Sequence, residues 1–290
     1  MKPICEPLYL FKYAASLAPF LKKARAKQQT IGFVPTMGAL HAGHISLINE
    51  AKRHYDLVVC SIFVNPTQFN DPSDLAKYPR TLSLDLEMLA QAGTHAVYFP
   101  EVDDVYPPDA SKEFFDFGLL EKVLEGAHRP GHFAGVGMVV ARLLRIVEPQ
   151  GLLLGEKDYQ QCLIIQSLVQ QMGWKERLTL HFCATTREPS GLAMSSRNQR
   201  LSQQGKEVAA HIYLLLEACK ERYQNFSPTQ LADWAIHTLD SLPNTRSEYV
   251  SFADATSLQP IVHWNDSDQV RVLVAVWVEG VRLIDNARLF

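Results

Sequence analysis

The stretch TIGFVPTMGALHAGHISLINEAKRHY, residues 30–55, contains the strand, turn and helix that decide the fold. TIGFV (30–34) is a short apolar run of β-prone residues before Pro35, so it predicts a strand that ends in a loop. Apolar residues at 45, 47, 48 and 51 then recur at helical spacing. The stretch therefore predicts a βα unit, and its turn holds His41, His44 and two glycines.

The same alternation continues along the chain. The pattern predicts further strands at 57–64, 95–99, 151–155 and 178–183, and helices at about 81–92, 135–148 and 158–172. Strands that alternate with helices predict an α/β fold with a Rossmann-like, doubly wound parallel sheet. Polar segments follow three of the strands, at the edge where such sheets bind ligands.

The pattern changes after residue 184. Helices are predicted at about 202–222 and 228–242, followed by strands in EYVSFAD (248–254), VRVLVAVWV (270–278) and VRLID (281–285). Glu279 and Gly280 predict a hairpin turn between the last two strands. We therefore expect a Rossmann-like domain of residues 1–184 and a second, smaller α+β C-terminal domain of residues 185–290.

Composition excludes some classes of function. The net charge of −3 provides no basic field for nucleic acid or an anionic membrane. The N-terminus lacks the pattern of a signal peptide, and no apolar run reaches the roughly 18–20 residues of a membrane span. The five cysteines are scattered and never form a CxxC pair, so we expect reduced thiols in a cytoplasmic protein.

The turn PTMGALHAGH (35–44) allows three interpretations. A zinc site would need more ligands than His41 and His44, and the nearest carboxylate is the more distant Glu50, so no metal site is expected. A phosphate site needs less, because glycines let the backbone approach closely and a helix N-terminus offers N–H groups and partial positive charge. The third interpretation is a loop with two surface histidines, which is weaker for a pair on one helix face.

Other polar segments also have two interpretations each. In GEKDYQQ (155–161), Lys157 could face a triphosphate, whereas Asp158 is a helix N-cap or a ligand. The hydroxyls and Arg197 of AMSSRN (193–198) suit phosphate oxygens, or they form a capping loop before Ser202. In NPTQF (65–69), Gln68 could hold a small polar substrate or fix the loop.

No protein nucleophile accompanies these groups. The stretch EGAHRPGHF (125–133) suggests a further anion-facing loop, but the chain has no obvious nucleophile–base pair, no GxGxxG at the first turn and no GxxxxGK[ST]. Cationic and hydrogen-bonding groups without a nucleophile fit the attack of a substrate carboxylate on the α-phosphorus of ATP, with pyrophosphate as leaving group.

Several motifs resemble those of one enzyme family. HAGH (41–44) resembles the HxGH signature of the nucleotidylyltransferase superfamily, and MSSRN (194–198) resembles its KMSKS loop. Together with FVPTMGALHAGH, SIFVNPTQF, YPRTL, LEGAHRPGHFAGV, GEKDYQQ and RLIDN, they resemble the pantothenate synthetase (pantoate–β-alanine ligase) family, in order from about residue 31 to 286. HxGH alone is specific only for the superfamily, whereas the ordered set is specific for the family.

The resemblance implies an ATP-dependent condensation of (R)-pantoate with β-alanine through pantoyl adenylate, which releases AMP and pyrophosphate. It also implies a cytoplasmic homodimer that binds neither nucleic acid nor membrane, a C-terminal domain that acts as a lid, and Mg²⁺ carried mainly by the ATP phosphates. The polar stretch NDPSDLAKYPRTL (70–82) is then a candidate for a mobile flap over the hydrolysable adenylate.

The resemblance also assigns site residues position by position. It makes His44 the proton donor and places five further catalytic residues at the phosphates: His41, Lys157, Ser195, Ser196 and Arg197. It assigns ATP binding to Met37, Gly38, Ala39, Leu40, His41, Ala42, Gly43, His44, Gly155, Glu156, Lys157, Asp158, Thr186, Met194, Ser195, Ser196 and Arg197. Gln68 and Gln161 would hold pantoate, and Gln68 would also reach β-alanine.

Overall fold

The computed structural model describes residues 7–69, 72–108 and 113–290, and the chain forms two compact units. The first unit contains the described residues up to Glu121, together with Arg129–Glu156 and Gln161–Cys183. The second unit contains Lys122–His128, Lys157–Gln160 and Ala184–Phe290. The division into domains of residues 1–184 and 185–290 stays a prediction, and two short segments from before residue 184 pack with the second unit.

A parallel sheet forms the centre of the first unit. Among the described residues its strands are β1 (Tyr9–Phe11), β2 (Ile31–Thr36), β3 (Leu57–Ile62), β4 (Ala96–Tyr98), β5 (Gly151–Gly155) and β6 (Thr179–Cys183), in the order β1-β4-β3-β2-β5-β6. Every neighbouring pair is parallel. The chain winds outward in both directions from β2 and β5, so the loops after these strands flank the switch point, where such sheets bind ligands.

Helices bury both faces of this sheet, as the doubly wound fold requires. In chain order up to Gln171 they are α1 (Ala14–Ala26), α2 (Ala42–His54), α3 (Pro72–Lys77), α4 (Leu82–Gln91), α5 (Val102–Val105), α6 (Leu124–His128, in the second unit), α7 (His132–Val147) and α8 (Tyr159–Gln171). One face packs with α1, α7 and α8, and the other packs with α2 and α4. Neighbouring residues such as Phe33 and Val34 therefore lie in different apolar clusters, which explains the continuous apolar runs of the strands.

Strand β2 continues through Pro35 to Thr36, so the prediction that Pro35 ends the strand is wrong. The Phe63 N–H donates to the Thr36 carbonyl at 3.0 Å, which turns Thr36 toward β3 and its neighbour Pro35 toward β5. Pairing between β2 and β5 ends at Phe33. The N–H that proline lacks is therefore not needed by the sheet.

The second unit is the predicted smaller α+β part. Its antiparallel sheet has the order β7 (Thr245–Asp254), β8 (Val270–Val278) and β9 (Val281–Arg288), and the helices α9 (Gln203–Arg222) and α10 (Pro228–Asp240) share its apolar core. Glu279 and Gly280 have φ values of +51° and +74°. Two consecutive positive φ values are what a tight hairpin turn requires, so the turn predicted there is confirmed.

Two further sequence expectations concern single segments. Of the predicted flap at 70–82, residues 70 and 71 lie outside the described residues, and α3 and the first residue of α4 lie within the rest. No helix in the described part of the chain combines the length and the hydropathy that a membrane span needs.

Candidate active site

The turn between β2 and α2 is held by Asp85, a residue of α4 that is only 2% exposed. Its Oδ2 accepts the Ala39 N–H at 2.9 Å, and its Oδ1 accepts the Leu40 N–H at 2.8 Å and the Thr81 hydroxyl at 3.0 Å. Gly38 and Ala39 have φ values of +78° and +49°. For a residue other than glycine that conformation costs roughly 1–3 kcal/mol, so the carboxylate stabilises a strained turn.

His41 and His44 cap the start of α2 and fix each other. The Nδ1 of His41 accepts the Gly43 N–H at 3.2 Å, and the Nδ1 of His44 accepts the His41 N–H at 3.3 Å. The ring centroids lie 4.1 Å apart. Because Nδ1 is the acceptor in both rings, the neutral imidazoles carry their protons on Nε2. Each ring is therefore oriented to donate a hydrogen bond from Nε2.

The backbone N–H groups of this turn are largely used within the chain. The Gly38 N–H donates to the Thr36 hydroxyl at 3.2 Å, and the amides of residues 39, 40, 41 and 43 donate to Asp85 or to the two imidazoles. The expectation that this helix N-terminus offers its N–H groups to an anion is therefore wrong at these positions. Side chains accept these N–H groups, and the two imidazoles that do so carry their own protons on Nε2.

The turn after β3 places Gln68 beside the β2–α2 turn. Asn65, which is 1% exposed, donates to the Gln68 Oε1 at 3.2 Å and to the Gly135 carbonyl at 3.3 Å. Gln68 in turn donates from Nε2 to the Met37 Sδ. A Cβ at Gly135 would lie 2.5 Å from the Thr67 carbonyl, so only glycine lets α7 approach this turn. The structure thus brings two predicted segments into contact.

Three more predicted residues of the first unit lie at the end of β5 or shortly after it. Gly155 is the last residue of that strand, Glu156 opens a short turn, and Gln161 lies in α8. The Cys162 thiol donates to the Gly155 carbonyl at 3.5 Å and ties the helix to the strand end. Because β5 pairs with β2, this segment shares the carboxyl edge of the sheet with the histidine turn.

In the second unit, the structure holds Lys157 and Asp158 through β9. Asn286 donates from Nδ2 to the Lys157 carbonyl at 3.0 Å. The Lys157 ammonium lies 3.7 Å from the Asp158 carboxylate, and the lysine side chain is 17% exposed. Lys157 is therefore a mostly buried cationic residue whose backbone carbonyl is held by Asn286.

The predicted residues at 186 and 194–197 also lie together in the second unit. The Met194 N–H donates to the Thr186 carbonyl at 3.0 Å, so the two sides of a tight loop run antiparallel. Ser195 caps the next turn, because its hydroxyl accepts the Arg197 N–H at 3.3 Å. The alternative prediction for this region is a loop that leads into a helix cap. Ser202 does cap α9, because its hydroxyl accepts the Gly205 N–H at 2.9 Å. The loop thus supplies both a cap and a group of polar side chains.

Two residues of the stretch 125–133 make contacts that support the fold, and the anion-facing role that its composition suggests stays a prediction. Glu125, 7% exposed, forms two hydrogen bonds of 2.7 Å with the Arg282 guanidinium, and it accepts the Tyr249 hydroxyl at 2.8 Å. In the first unit, the His132 Nδ1 lies 2.8 Å from the Gln68 carbonyl. These contacts hold α6 and the β3 turn in place.

Three of the thiols that the structure describes are unsuited to act as nucleophiles. Burial raises the pKa of Cys60 to about 12, of Cys183 to about 11 and of Cys219 to about 12. A thiol with such a pKa stays protonated and unreactive near neutral pH. Cys60, Cys162, Cys183 and Cys219 form no disulfide in the described part of the chain, whereas Cys5 lies outside the described residues. Within residues 7–69, 72–108 and 113–290, no group of three or more histidine, cysteine or acidic residues could hold a metal ion.

Two residues that hold this site escape the sequence analysis, although each leaves a signal. Asp85 is the acidic residue on the buried face of α4, one turn before the buried Leu89. Asn65 comes three residues after the buried strand β3 and is almost completely buried. A polar side chain on an apolar face is the observable sign of a buried hydrogen-bonding role.

Comparison with known proteins gives a consistent result. The profile of the family described as Pantoate-beta-alanine ligase matches residues 9–288. A pantothenate synthetase of Porphyromonas gingivalis is 45% identical over 96% of this chain and 98% of its own length. One of Cytophaga hutchinsonii is 44% identical over 92% of this chain and 94% of its own length.

Solved structures agree. The crystal structure of pantothenate synthetase from Thermus thermophilus has a TM-score of 0.88 and 36% identity, and covers 97% of this chain and 99% of that one. The pantoate-beta-alanine ligase of Francisella tularensis, complexed with beta-gamma ATP and beta-alanine, has a TM-score of 0.80, 36% identity and 98% coverage of both chains. On its sequence, its fold and these matches, the chain belongs to the pantoate–β-alanine ligase family.

Proposed function

We propose how the residues of the two units share the reaction of this family. The chain is a pantoate–β-alanine ligase: it condenses (R)-pantoate with β-alanine to pantothenate at the expense of ATP. A carboxylate oxygen of pantoate attacks the α-phosphorus and pyrophosphate leaves. The β-alanine amine then attacks the acyl carbon of pantoyl adenylate, loses a proton and displaces AMP. Both nucleophiles come from substrates, which agrees with the protonated thiols.

The orientation of the two imidazoles is the observation that carries this assignment. Both Nδ1 atoms accept backbone N–H groups, so His41 and His44 direct Nε2–H donors at the ATP phosphates. Negative charge grows on the leaving pyrophosphate as the α-phosphorus is attacked. Donors that are already oriented stabilise this charge without reorganising, and His44 serves as the proton donor.

The remaining predicted residues take the other parts of the substrates. Lys157 neutralises the outer phosphates, Asp158 faces the ribose, and Thr186 contacts the base through its backbone. Ser195, Ser196 and Arg197 supply further donors to the phosphates, and Met194 borders them. Met37–His44 and Gly155–Asp158 line the nucleotide, whereas Gln68 and Gln161 hold pantoate and Gln68 also reaches β-alanine.

We propose that Mg²⁺ arrives with ATP and is held mainly by phosphate oxygens, where it offsets their charge. The described residues fit this arrangement, because Asp85, the carboxylate at the histidine turn, already uses both oxygens on backbone amides. We also propose a cytoplasmic homodimer without nucleic-acid or membrane partners, with residues 185–290 as the lid domain. The dimer rests on the family resemblance, and sedimentation of the purified chain tests it.

The central test is the reaction balance. Purified protein is incubated with MgATP, (R)-pantoate and β-alanine, and AMP, pyrophosphate and pantothenate are counted by chromatography and mass spectrometry. We expect one of each per turnover. When β-alanine is left out, we expect pantoyl adenylate and pyrophosphate without AMP or pantothenate. Turnover with a different acid and amine but not with these would overturn the proposal. A stable nucleotidyl product with β-alanine present would instead indicate a nucleotidylyltransferase that stops after the first step.

A further inference from the structure

Asn286 of β9 forms hydrogen bonds with two different segments of the second unit. Its Nδ2 donates to the Lys157 carbonyl at 3.0 Å, and its Oδ1 accepts from the Arg271 guanidinium. A carbonyl only accepts and a guanidinium only donates, so the two contacts together fix the orientation of the amide. Asn286 is 5% exposed, which shields both hydrogen bonds from water.

The segment after Lys157 is fixed by the same sheet. The Arg271 guanidinium lies 3.6 Å from the centre of the Tyr159 ring, and the Tyr159 hydroxyl donates to the Ala255 carbonyl at 2.8 Å. Cation–π and hydrogen-bond contacts thus hold residue 159, while Asn286 holds residue 157. Both ends of this short segment are attached to strands of the second unit.

The neighbouring residue of β9 holds the other predicted phosphate segment. Asp285 points to the opposite face of the sheet and forms a two-point ion pair with Arg187. Arg187 lies in the loop that joins Thr186 to Met194. Adjacent residues of one strand therefore fix Lys157 on one face and the loop between Thr186 and Met194 on the other.

We propose that Asn286 is a positioning residue for Lys157 in adenylate formation. It fixes the backbone from which the lysine side chain extends, and so sets the place of the ammonium on the outer phosphates. The proposal rests on the proposed role of Lys157 and adds that this role depends on β9. Since an error of about 1 Å at a reacting group can cost about 100-fold in rate, losing this anchor should be visible in the first half-reaction.

Two substitutions separate the anchor from its neighbours. Asn286→Asp keeps an oxygen for Arg271 but turns an acceptor toward the Lys157 carbonyl. Asn286→Leu has a similar shape, removes both contacts and adds no charge. We expect either variant to slow adenylate formation from ATP and pantoate about 10- to 100-fold. We expect less than a twofold change when preformed pantoyl adenylate reacts with β-alanine. Thermal unfolding establishes that each variant is folded.

The decisive arm uses Lys157→Ala as background. If Asn286 acts through Lys157, either Asn286 variant should change the adenylation rate of that mutant less than twofold, because the anchored group is gone. Full additivity, or equal losses in both half-reactions, would overturn the positioning role while leaving the ligase assignment intact. A Lys157→Ala enzyme with normal ATP use would instead remove the role of Lys157 itself, and the positioning role with it.

Discussion

The replacement Asp85→Asn isolates the contact that shapes the histidine turn. The side chain keeps its size, but one of its two oxygens becomes an NH₂ group. Oδ1 accepts the Leu40 amide and the Thr81 hydroxyl, and Oδ2 accepts the Ala39 amide. Whichever way the new amide turns, its NH₂ faces a backbone N–H less than 3 Å away. One donor of the turn therefore loses its acceptor in a site that excludes water.

The size of the effect follows from these contacts. A hydrogen bond to a charged group contributes roughly 1.5–3 kcal/mol, and a buried N–H left without an acceptor costs roughly 1–3 kcal/mol. Since these two figures overlap in what they count, we expect the free energy of unfolding to fall by about 2–4 kcal/mol. Ala39 also loses support for its positive φ, so the turn should relax before the rest of the unit unfolds.

Kinetics distinguish this local change from a general loss of stability. Relaxation of the turn moves His41 and His44, and we expect adenylate formation to slow by about 100-fold per folded molecule. Pyrophosphate release reports that rate, and urea unfolding reports stability. Asp104→Asn is the matched control: Asp104 also accepts a backbone amide, that of Ala14 at 2.7 Å, and the Tyr98 hydroxyl at 2.6 Å. That variant should lose stability without slowing adenylation of the folded protein.

Two results would refute the reasoning about Asp85. If Asp85→Asn forms the adenylate within twofold of the parent rate, the carboxylate does not set the histidine geometry. If Asp104→Asn slows adenylation as much as Asp85→Asn does, the loss comes from general destabilisation and not from the turn.

Three further substitutions test a phosphate donor, a substrate contact and a hydrogen-bonded carboxylate. His44→Ala should slow adenylate formation by about 10²–10³-fold with the fold intact, and near-normal single-turnover adenylation would contradict its role. Gln68→Ala should weaken use of pantoate and leave ATP binding little changed, and calorimetry with the reverse outcome would contradict that. Burial of Asp254 opposes its ionisation, but hydrogen bonds from Ser267, Ser257 and Thr256 outweigh it and lower the pKa from 3.8 to about 2. The stabilisation that ionised Asp254 gives the folded state is complete at pH values above its unfolded pKa of 3.8 and is lost as pH falls toward 2. Asp254→Asn should therefore flatten that part of an acid-unfolding profile, and an unchanged slope would contradict this expectation.

The central βα unit was predictable because its signals are local. An apolar strand, a glycine-containing turn and a 3.6-residue stripe lie within 26 consecutive residues, and the structure has β2 and α2 there. The edge strand β1 and helix α1 were not predicted. β1 has three residues and is mostly exposed, and α1 contains an internal Pro19, so neither shows a clear pattern.

The supports of the site could not be read from the sequence, because they join distant positions. Asp85 binds amides 45 and 46 residues earlier in the chain, and Asn286 binds a carbonyl 129 residues away. Local periodicity shows that Asp85 lies on the buried face of α4, but not which amides it meets. The sequence pattern predicts a strand at 281–285, but the contacts of Asn286 and its neighbour Asp285 with two different segments appear only in the folded chain.

The use of the turn amides by Asp85 has a consequence for anion binding. If the turn binds phosphate as proposed, its backbone N–H groups are poor candidates for the main donors, because the Asp85 carboxylate already accepts two of them and its charge opposes that of ATP. Imidazoles avoid this conflict, since they accept backbone N–H groups through Nδ1 and donate outward through Nε2. The carboxylate then acts as a structural anchor whose charge is offset by the amides it binds. The HxGH spacing matters because residues three apart can cap one helix and point the same way. His41→Ala should therefore remove a donor and the ring that packs 4.1 Å from His44, but keep the backbone N–H that holds the His44 Nδ1.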